Sequence, residues 1–193
     1  FKQYNIEDND AFYTVKPLDD GGFLAGGNAS TDEVYKGWLV KTDSNGNIVW
    51  NKTYDYGYAY AIFFDIISTP DNGYAALAEV TGFGAGFWDY MLLKLDNTRN
   101  TSWAMLYGGE GNDLPRSLVN ADDGGFVMTG TTNSFGAGQY DMYVIKTDSL
   151  GKSGCHEISA LPQEGTLSPS VINFMPQVTS LASSTVAFTQ VNN

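Results

Sequence analysis

The chain holds few residues able to do covalent chemistry, and none stands at a spacing that a reaction requires. Its lone cysteine and lone histidine are neighbours, Cys155 and His156. A thiol beside an imidazole could serve as nucleophile and base. Adjacent residues on a strand point to opposite faces, however, and no third group to orient the base is apparent. The acidic turns Asp43-Ser44-Asn45-Gly46-Asn47 and Asp71-Asn72-Gly73 have a faint likeness to calcium loops. A calcium-binding hand needs about five oxygen ligands at fixed spacing and a closing Glu. That Glu is missing, and hairpin chemistry accounts for the residues. Asp10 and Asp113 precede first strands at equivalent positions, while Asp89 and Asp141 precede third strands. A glycosidase would need two carboxylates at a controlled separation, but recurrence at equivalent positions points to structural caps. The expectation is therefore no catalytic residue, no metal ligand set and no cofactor, beyond a loose attraction of Ca²⁺ to an acidic surface.

Aromatic residues are the better lead. Tyr56, Tyr58 and Tyr60 lie on one side of a strand-like loop, and Phe87 and Trp88 follow a glycine-rich loop. Exposed rings stack on sugars or anchor protein partners, and loops on a rigid scaffold commonly carry function. These five are the candidate binding residues. Packing of the same rings within the scaffold is the competing account.

The elements that must position them repeat three times. A turn recurs as Asp20-Gly21-Gly22-Phe23, Asp71-Asn72-Gly73-Tyr74 and Asp123-Gly124-Gly125-Phe126. Each precedes a strand ending in lysine and a second turn, at Lys41-Thr42-Asp43-Ser44-Asn45-Gly46, Lys94-Leu95-Asp96-Asn97 and Lys146-Thr147-Asp148-Ser149-Leu150-Gly151. A period near ~50 residues is that of one propeller blade or one lobe of a threefold β fold. The first unit predicts strands over 12–16, 23–25, 37–41 and 48–54, with a loop from Gly26 to about Lys36. The second predicts 62–68, 74–80, 88–95 and 102–107, and the third 114–120, 126–131 and 140–146. The third unit's fourth strand is weak: Lys152-Ser153-Gly154-Cys155-His156 lacks apolar alternation, and Cys155 stands where Trp50 and Trp103 stood. Conversely Phe1-Lys2-Gln3-Tyr4-Asn5 matches Asn51-Lys52-Thr53-Tyr54-Asp55, a fourth strand without a unit of its own. The expectation is that the stretch from Phe1 to Tyr4 pairs with the third unit, removing an exposed edge.

The fold class read from these repeats is all-β, with three four-stranded antiparallel meanders in a propeller-like arrangement; β-trefoil and β-prism are the alternatives. The division is a repeat domain over 1–158 and a Ser/Thr/Val-rich tail over 159–193, docked as strands or serving as a tether. The chain opens without an initiator Met and inside what the register makes a strand, so a processed or partial product is expected.

Bulk composition excludes some functions. Among 193 residues the formal net charge is −12 and the basic residues number 10, scattered, so nucleic-acid binding is not expected. No run approaches the length of a membrane span. A single cysteine rules out an internal disulfide framework and leaves the compartment open.

The pattern DGG[FY]…G…D-x-[YM]-x-x-K-T-D-S-x-G…W-x-K-x-Y, matched by Asp123-Gly124-Gly125-Phe126, Ser134-Phe135-Gly136-Ala137-Gly138, Asp141-Met142-Tyr143 and Lys146-Thr147-Asp148-Ser149, resembles a known family. It is similar to the tandem propeller-like repeat of large secreted and surface proteins of bacteria, notably Bacteroidota, and of some archaea. The resemblance covers about residues 1–157. It implies extracellular display at the cell surface and adhesion, protein binding or structural assembly, and it carries no catalytic residues to transfer. The function expected is a non-catalytic binding module whose partner is another protein or a second copy, engaged through the Phe1–Tyr4 strand and the tail. A glycan-binding module using the loop aromatics is the alternative, and a glycan-active enzyme ranks third.

Overall fold

A computed structural model describes residues 2–6, 9–31, 34–56, 60–82 and 86–173. Among them the chain is all-β, with no helix and therefore none long and apolar enough to cross a membrane. In chain order the strands are β1 (Lys2–Asn5), β2 (Ala11–Pro17), β3 (Phe23–Thr31), β4 (Val34–Thr42), β5 (Ile48–Asp55), β6 (Ala61–Ser68), β7 (Tyr74–Thr81) and β8 (Trp88–Leu95). They continue as β9 (Thr101–Tyr107), β10 (Asp113–Asn120), β11 (Phe126–Thr132), β12 (Asp141–Thr147), β13 (Glu157–Ser159), β14 (Gln163–Gly165) and β15 (Ser170–Asn173).

Each repeat is an antiparallel meander: β2 to β5 form sheet one, β6 to β9 sheet two, and β10 to β12 sheet three. The turns agree in detail. Thr69 N donates to Gly73 O, and Leu18 and Ala121 make the same bond to Gly22 and Gly125. In every unit the turn aspartate accepts the backbone N–H of the glycine two residues on and pairs with the lysine near the end of the third strand: Asp20 with Lys41, Asp71 with Lys94, Asp123 with Lys146. The recurring DGG…K signature is thus one clamp joining two turns. Lys94 and Thr69 hold the Asp71 carboxyl down at about 2.

The second turn requires a left-handed residue, supplied by Gly46 (φ 76°) and Gly151 (φ 75°). In unit two Arg99 takes that conformation at φ 72°, which costs a side-chain-bearing residue on the order of 1 kcal/mol. Arg99→Gly should therefore raise the thermal midpoint by a few degrees, for a gain of about 0.5–1 kcal/mol. Calorimetry checks this, and an unchanged or lowered midpoint would show that the Arg99 side chain offsets its backbone.

The sheets stack face on face with sheet two in the middle. Leu24, Leu39 and Tyr54 of sheet one meet Phe63, Ile66, Met91 and Leu93 of sheet two. The opposite face of sheet two, with Leu77, Tyr90, Leu92 and Tyr107, meets Leu118, Phe126, Met128 and Ile145 of sheet three. Trp50 of one unit reaches Tyr74 of the next (6.1 Å between ring centres), and Trp103 reaches Phe126 (5.9 Å). The tryptophan of the fourth strand and the aromatic after the DGG turn are therefore two halves of an interunit contact, which explains their common spacing.

Three sequence expectations are corrected. The segment between Gly26 and Lys36 is not a loop, because β3 runs to Thr31 and β4 begins at Val34. The third unit has no fourth strand at Cys155. Gly154 (φ 83°) and His156 (φ 56°) put left-handed bends where an extended chain is needed. Nor does the N-terminal strand close onto unit three. β1 pairs with β15, Lys2 opposite Asn173 through Asn5 opposite Ser170, and Phe1 lies outside the described residues. Sheets one and three are separated by sheet two, so a strand packed on sheet one cannot reach the third.

The chain beyond residue 156 runs back along the outer edges of the stack. β13 adds to β9 as a fifth strand of sheet two, and β14 adds to β5 as a fifth strand of sheet one. Residue 158 thus falls inside a strand. Glu164 stitches the two sheets, accepting from Thr101 N at 2.9 Å and pairing with Lys52. Asn51 then mimics a strand partner for Leu167, bonding both its N–H and its carbonyl. With Tyr4 and Ile6, Leu167 covers Trp38 and Val40 on the outer face of sheet one. Residues 174–193, most of the predicted tail, lie outside the described residues.

Candidate binding surfaces

Three of the five candidate aromatics share one place. Tyr60, Phe87 and Trp88, with Thr81, Gly82 and Gly86, line an open and largely apolar cleft of about 350 Å³. Tyr60 stands at the entry to β6, fixed by Thr81, whose hydroxyl accepts the Tyr60 N–H while the Thr81 N–H donates to the Tyr60 carbonyl, both at 3.0 Å. Its ring meets Tyr35 at 5.3 Å between centres. Phe87 is held by its N–H, which donates to Gly111 O at 3.0 Å, leaving the ring 74% exposed. Such a cleft can stack against a flat apolar face. Tyr56 is placed elsewhere: it is buried between sheets one and two, its hydroxyl against Met91 Sδ, and burial pushes that hydroxyl well above its ordinary range. Tyr58 lies outside the described residues.

The remaining chemical candidates separate. Cys155 and His156 are both exposed, and His156 rests on Phe135 with ring centres 4.8 Å apart. No group of three or more His, Cys, Asp or Glu side chains is placed to hold a metal among the described residues. Asp10 caps a loop as expected, accepting from Ile6 N and Ser30 N. Asp113 does likewise for Gly109 N and the Ser134 hydroxyl.

Asp113 is also half of a feature that sequence reasoning missed. Asp89 and Asp113 are both buried, and a methyl group at Gly108 would collide with Asp89 Oδ1 and stand 2.7 Å from Asp113 Oδ2. Two carboxyls therefore face one spot, each with an oxygen lacking a hydrogen-bond partner. Burial first, and the Asp113 charge second, push the Asp89 carboxyl up to about 6. The corresponding positions between units one and two hold Lys36 and Ala61, so the pair belongs to this junction alone among the described units. Only the strand register shows that a third-strand residue of one unit meets a first-strand residue of the next.

A second missed surface is larger. Pairing with the neighbouring strand makes Gly37, Tyr90 and Met142 equivalent, and likewise Leu39, Leu92 and Val144. Leu39, Tyr90 and Leu92 are fully buried at interunit contacts, whereas Met142 is 91% and Val144 63% exposed. Val119 of β10 is exposed beside them. Among the described residues β12 bonds only to β11, and none of them pairs with its other edge, which runs along seven residues.

No protein-family model matches the chain, and no curated protein matches it in sequence. Two surfaces of the chain stand open to a partner. The first is aromatic and concave; the second is an apolar sheet face ending in an open strand.

Proposed function

We propose that the chain is a non-catalytic, extracellular module of propeller-like construction that binds protein, taking a β-strand from another chain along β12. The carrying observation is the exposure of Met142 and Val144 at positions whose counterparts are closed interunit contacts. An apolar face next to an unpaired edge is a template for strand addition, in which backbone bonds give affinity and alternate side chains give register. The partner strand has a stated chemistry: extended and alternating, with aromatic groups spaced as in β5 and β9, because those strands complete the equivalent sheets. Placement at the cell surface rests on the resemblance of the repeat to secreted arrays.

A labelled peptide carrying the β9 sequence Thr101–Tyr107 tests the reading. Saturable binding by fluorescence anisotropy, lost in Val144→Lys, is expected. Absence of binding by the unaltered chain would overturn it.

The convergence of Tyr60, Phe87 and Trp88 on one cleft favours a second reading, glycan binding by stacking. Here Trp88→Ala should weaken binding on a glycan array by about five- to tenfold, the loss of one stacked ring at about 1–1.5 kcal/mol. A silent array would remove this reading and leave the first intact.

A further inference from the structure

We propose that the buried carboxyls of Asp89 and Asp113 hold one divalent cation, calcium by its chemistry, at the junction of units two and three. The site does not depend on β12 as an acceptor of strands.

Two like charges stand in a dry place. Asp89 is 2% and Asp113 0% exposed, and both carboxyls face one point above Gly108. Asp89 Oδ1 and Asp113 Oδ1 have no hydrogen-bond partner among the described residues. The other oxygen of Asp113 accepts from Gly109 N at 2.8 Å and from the Ser134 hydroxyl at 2.6 Å, while Asp89 accepts the Gly86 N–H. Among the described residues no lysine or arginine forms an ion pair with either acid. The sister junction differs, because Lys36 stands at the position of Asp89 and pairs with Asp55 at 3.1 Å. Burying an ionised carboxyl without a partner is costly, and two that face one point repel besides. One shared proton leaves a negative charge in place, whereas a divalent cation cancels both.

Neutral oxygens gather at the same junction. The Tyr90 hydroxyl is fully buried and has no partner among the described residues. It reaches the start of β10, where a methyl group at Gly130 would collide with it and with Leu114 O, the carbonyl after Asp113. Burial first, and the Asp113 charge second, push this hydroxyl well above its ordinary range, so it stays neutral. Asn112, next to Asp113, also buries an amide oxygen without a donor. Buried acceptors without donors are few in native proteins, and an ion is one of the groups that satisfy them.

The donor set selects the ion. All these groups are oxygens, which suits a hard cation rather than zinc or copper. Two carboxylates suffice for calcium, which takes amide and carbonyl oxygens in flexible number; magnesium gives up its waters reluctantly, and this place is dry. Gly108 keeps the point open, since a Cβ there would collide with Asp89 Oδ1 and stand 2.7 Å from Asp113 Oδ2. A cation joining the two acids would tie the start of β8 to the start of β10 across residues 108–112. That loop also fixes the aromatic cleft, because Gly111 O accepts the Phe87 N–H.

Calcium titration of the full chain, first stripped with chelator, tests the site. Calorimetry should show one saturable site per chain, and saturation should raise the thermal midpoint by about 5 °C. Terbium, a calcium substitute excited through nearby tyrosine and tryptophan, should luminesce on binding and be displaced by calcium. Asp89→Asn should abolish both responses while its midpoint in chelator stays at or above that of the native chain. Asp122→Asn removes the same charge at an exposed turn and should leave both responses intact. Tyr90→Phe keeps the ring and serves as a second variant should Asp89→Asn not fold; it should weaken calcium severalfold. A native midpoint indifferent to calcium, or binding without a single saturable site, overturns the inference. So does an affinity that neither Asp89→Asn nor Tyr90→Phe alters. A response lost equally in Asp122→Asn overturns it too, as loose attraction to a chain of charge −12.

Discussion

Phe63→Ala should be the most damaging single truncation in the molecule, costing about 3–5 kcal/mol. Phe63 is fully buried on β6, the strand that carries unit two onto sheet one. Its ring meets Tyr54 edge-on at 5.5 Å and 87°. Sheet one makes room for it with glycines: a Cβ at Gly37 would stand 2.7 Å from the Phe63 ring, and one at Gly26 3.2 Å from Phe63 Cβ. Gly26 and Gly37 have no side chain with which to fill the vacated space. The cavity term then adds to the lost burial. Against a typical total of about 5–15 kcal/mol, the urea midpoint should fall by about a fifth or more with little change in slope. A loss below about 1.5 kcal/mol would mean that sheets one and two repack freely, contrary to the close fit described.

Asp89→Asn should act in the opposite direction and stabilise the protein at neutral pH. The Asp89 carboxyl is raised from 3.8 to about 6 by burial and by the nearby charge of Asp113. The folded chain thus holds this proton more tightly than the unfolded chain does. The associated stability is fully present below 3.8 and is lost as the pH rises through about 6. A shift of this size corresponds to on the order of 2–3 kcal/mol at pH 7. Asparagine removes the charge, keeps an acceptor for the Gly86 N–H that bonds Asp89, and can donate toward Asp113. Thermal midpoints measured from pH 4 to pH 7 should decline for the native chain and stay flatter for the variant. The clamp at Asp71 does not confuse the result. Its carboxyl is lowered to about 2, so its stability is present above the ordinary range and is lost only as the pH falls through about 2. A variant less stable than the native chain at pH 7 would show that the two carboxyls are neutralised in another way.

The turns, the strand order within each sheet and the three-unit layout were legible in the sequence because they depend on local chemistry. A left-handed position needs Gly or a tolerant substitute, a tight turn needs an Asx side chain, and alternation sets the face of each strand. The Asp–Lys clamps connect two turns of one unit, so their residues recur with the motif. The aromatic candidates were legible in part. Phe87 and Trp88 follow a glycine loop and line the cleft with Tyr60, but Tyr56 looks identical in sequence and is core.

What the sequence alone determined is the repeating unit: antiparallel meanders with common turns, a weak last strand in the third unit, and an N-terminal segment that matches the last strand of a unit. Only the tertiary structure decided which faces were covered. Stacking placed sheet two between its neighbours, which denied β1 its third-unit partner, sent the chain beyond residue 156 back along sheets two and one, and brought Asp89 against Asp113. The physical reason is range. Turn and strand preferences act over a few residues, whereas burial and electrostatics depend on which segments meet across distant positions of chain, 53 apart for Asp65 and Leu118 and 165 for Asn5 and Ser170.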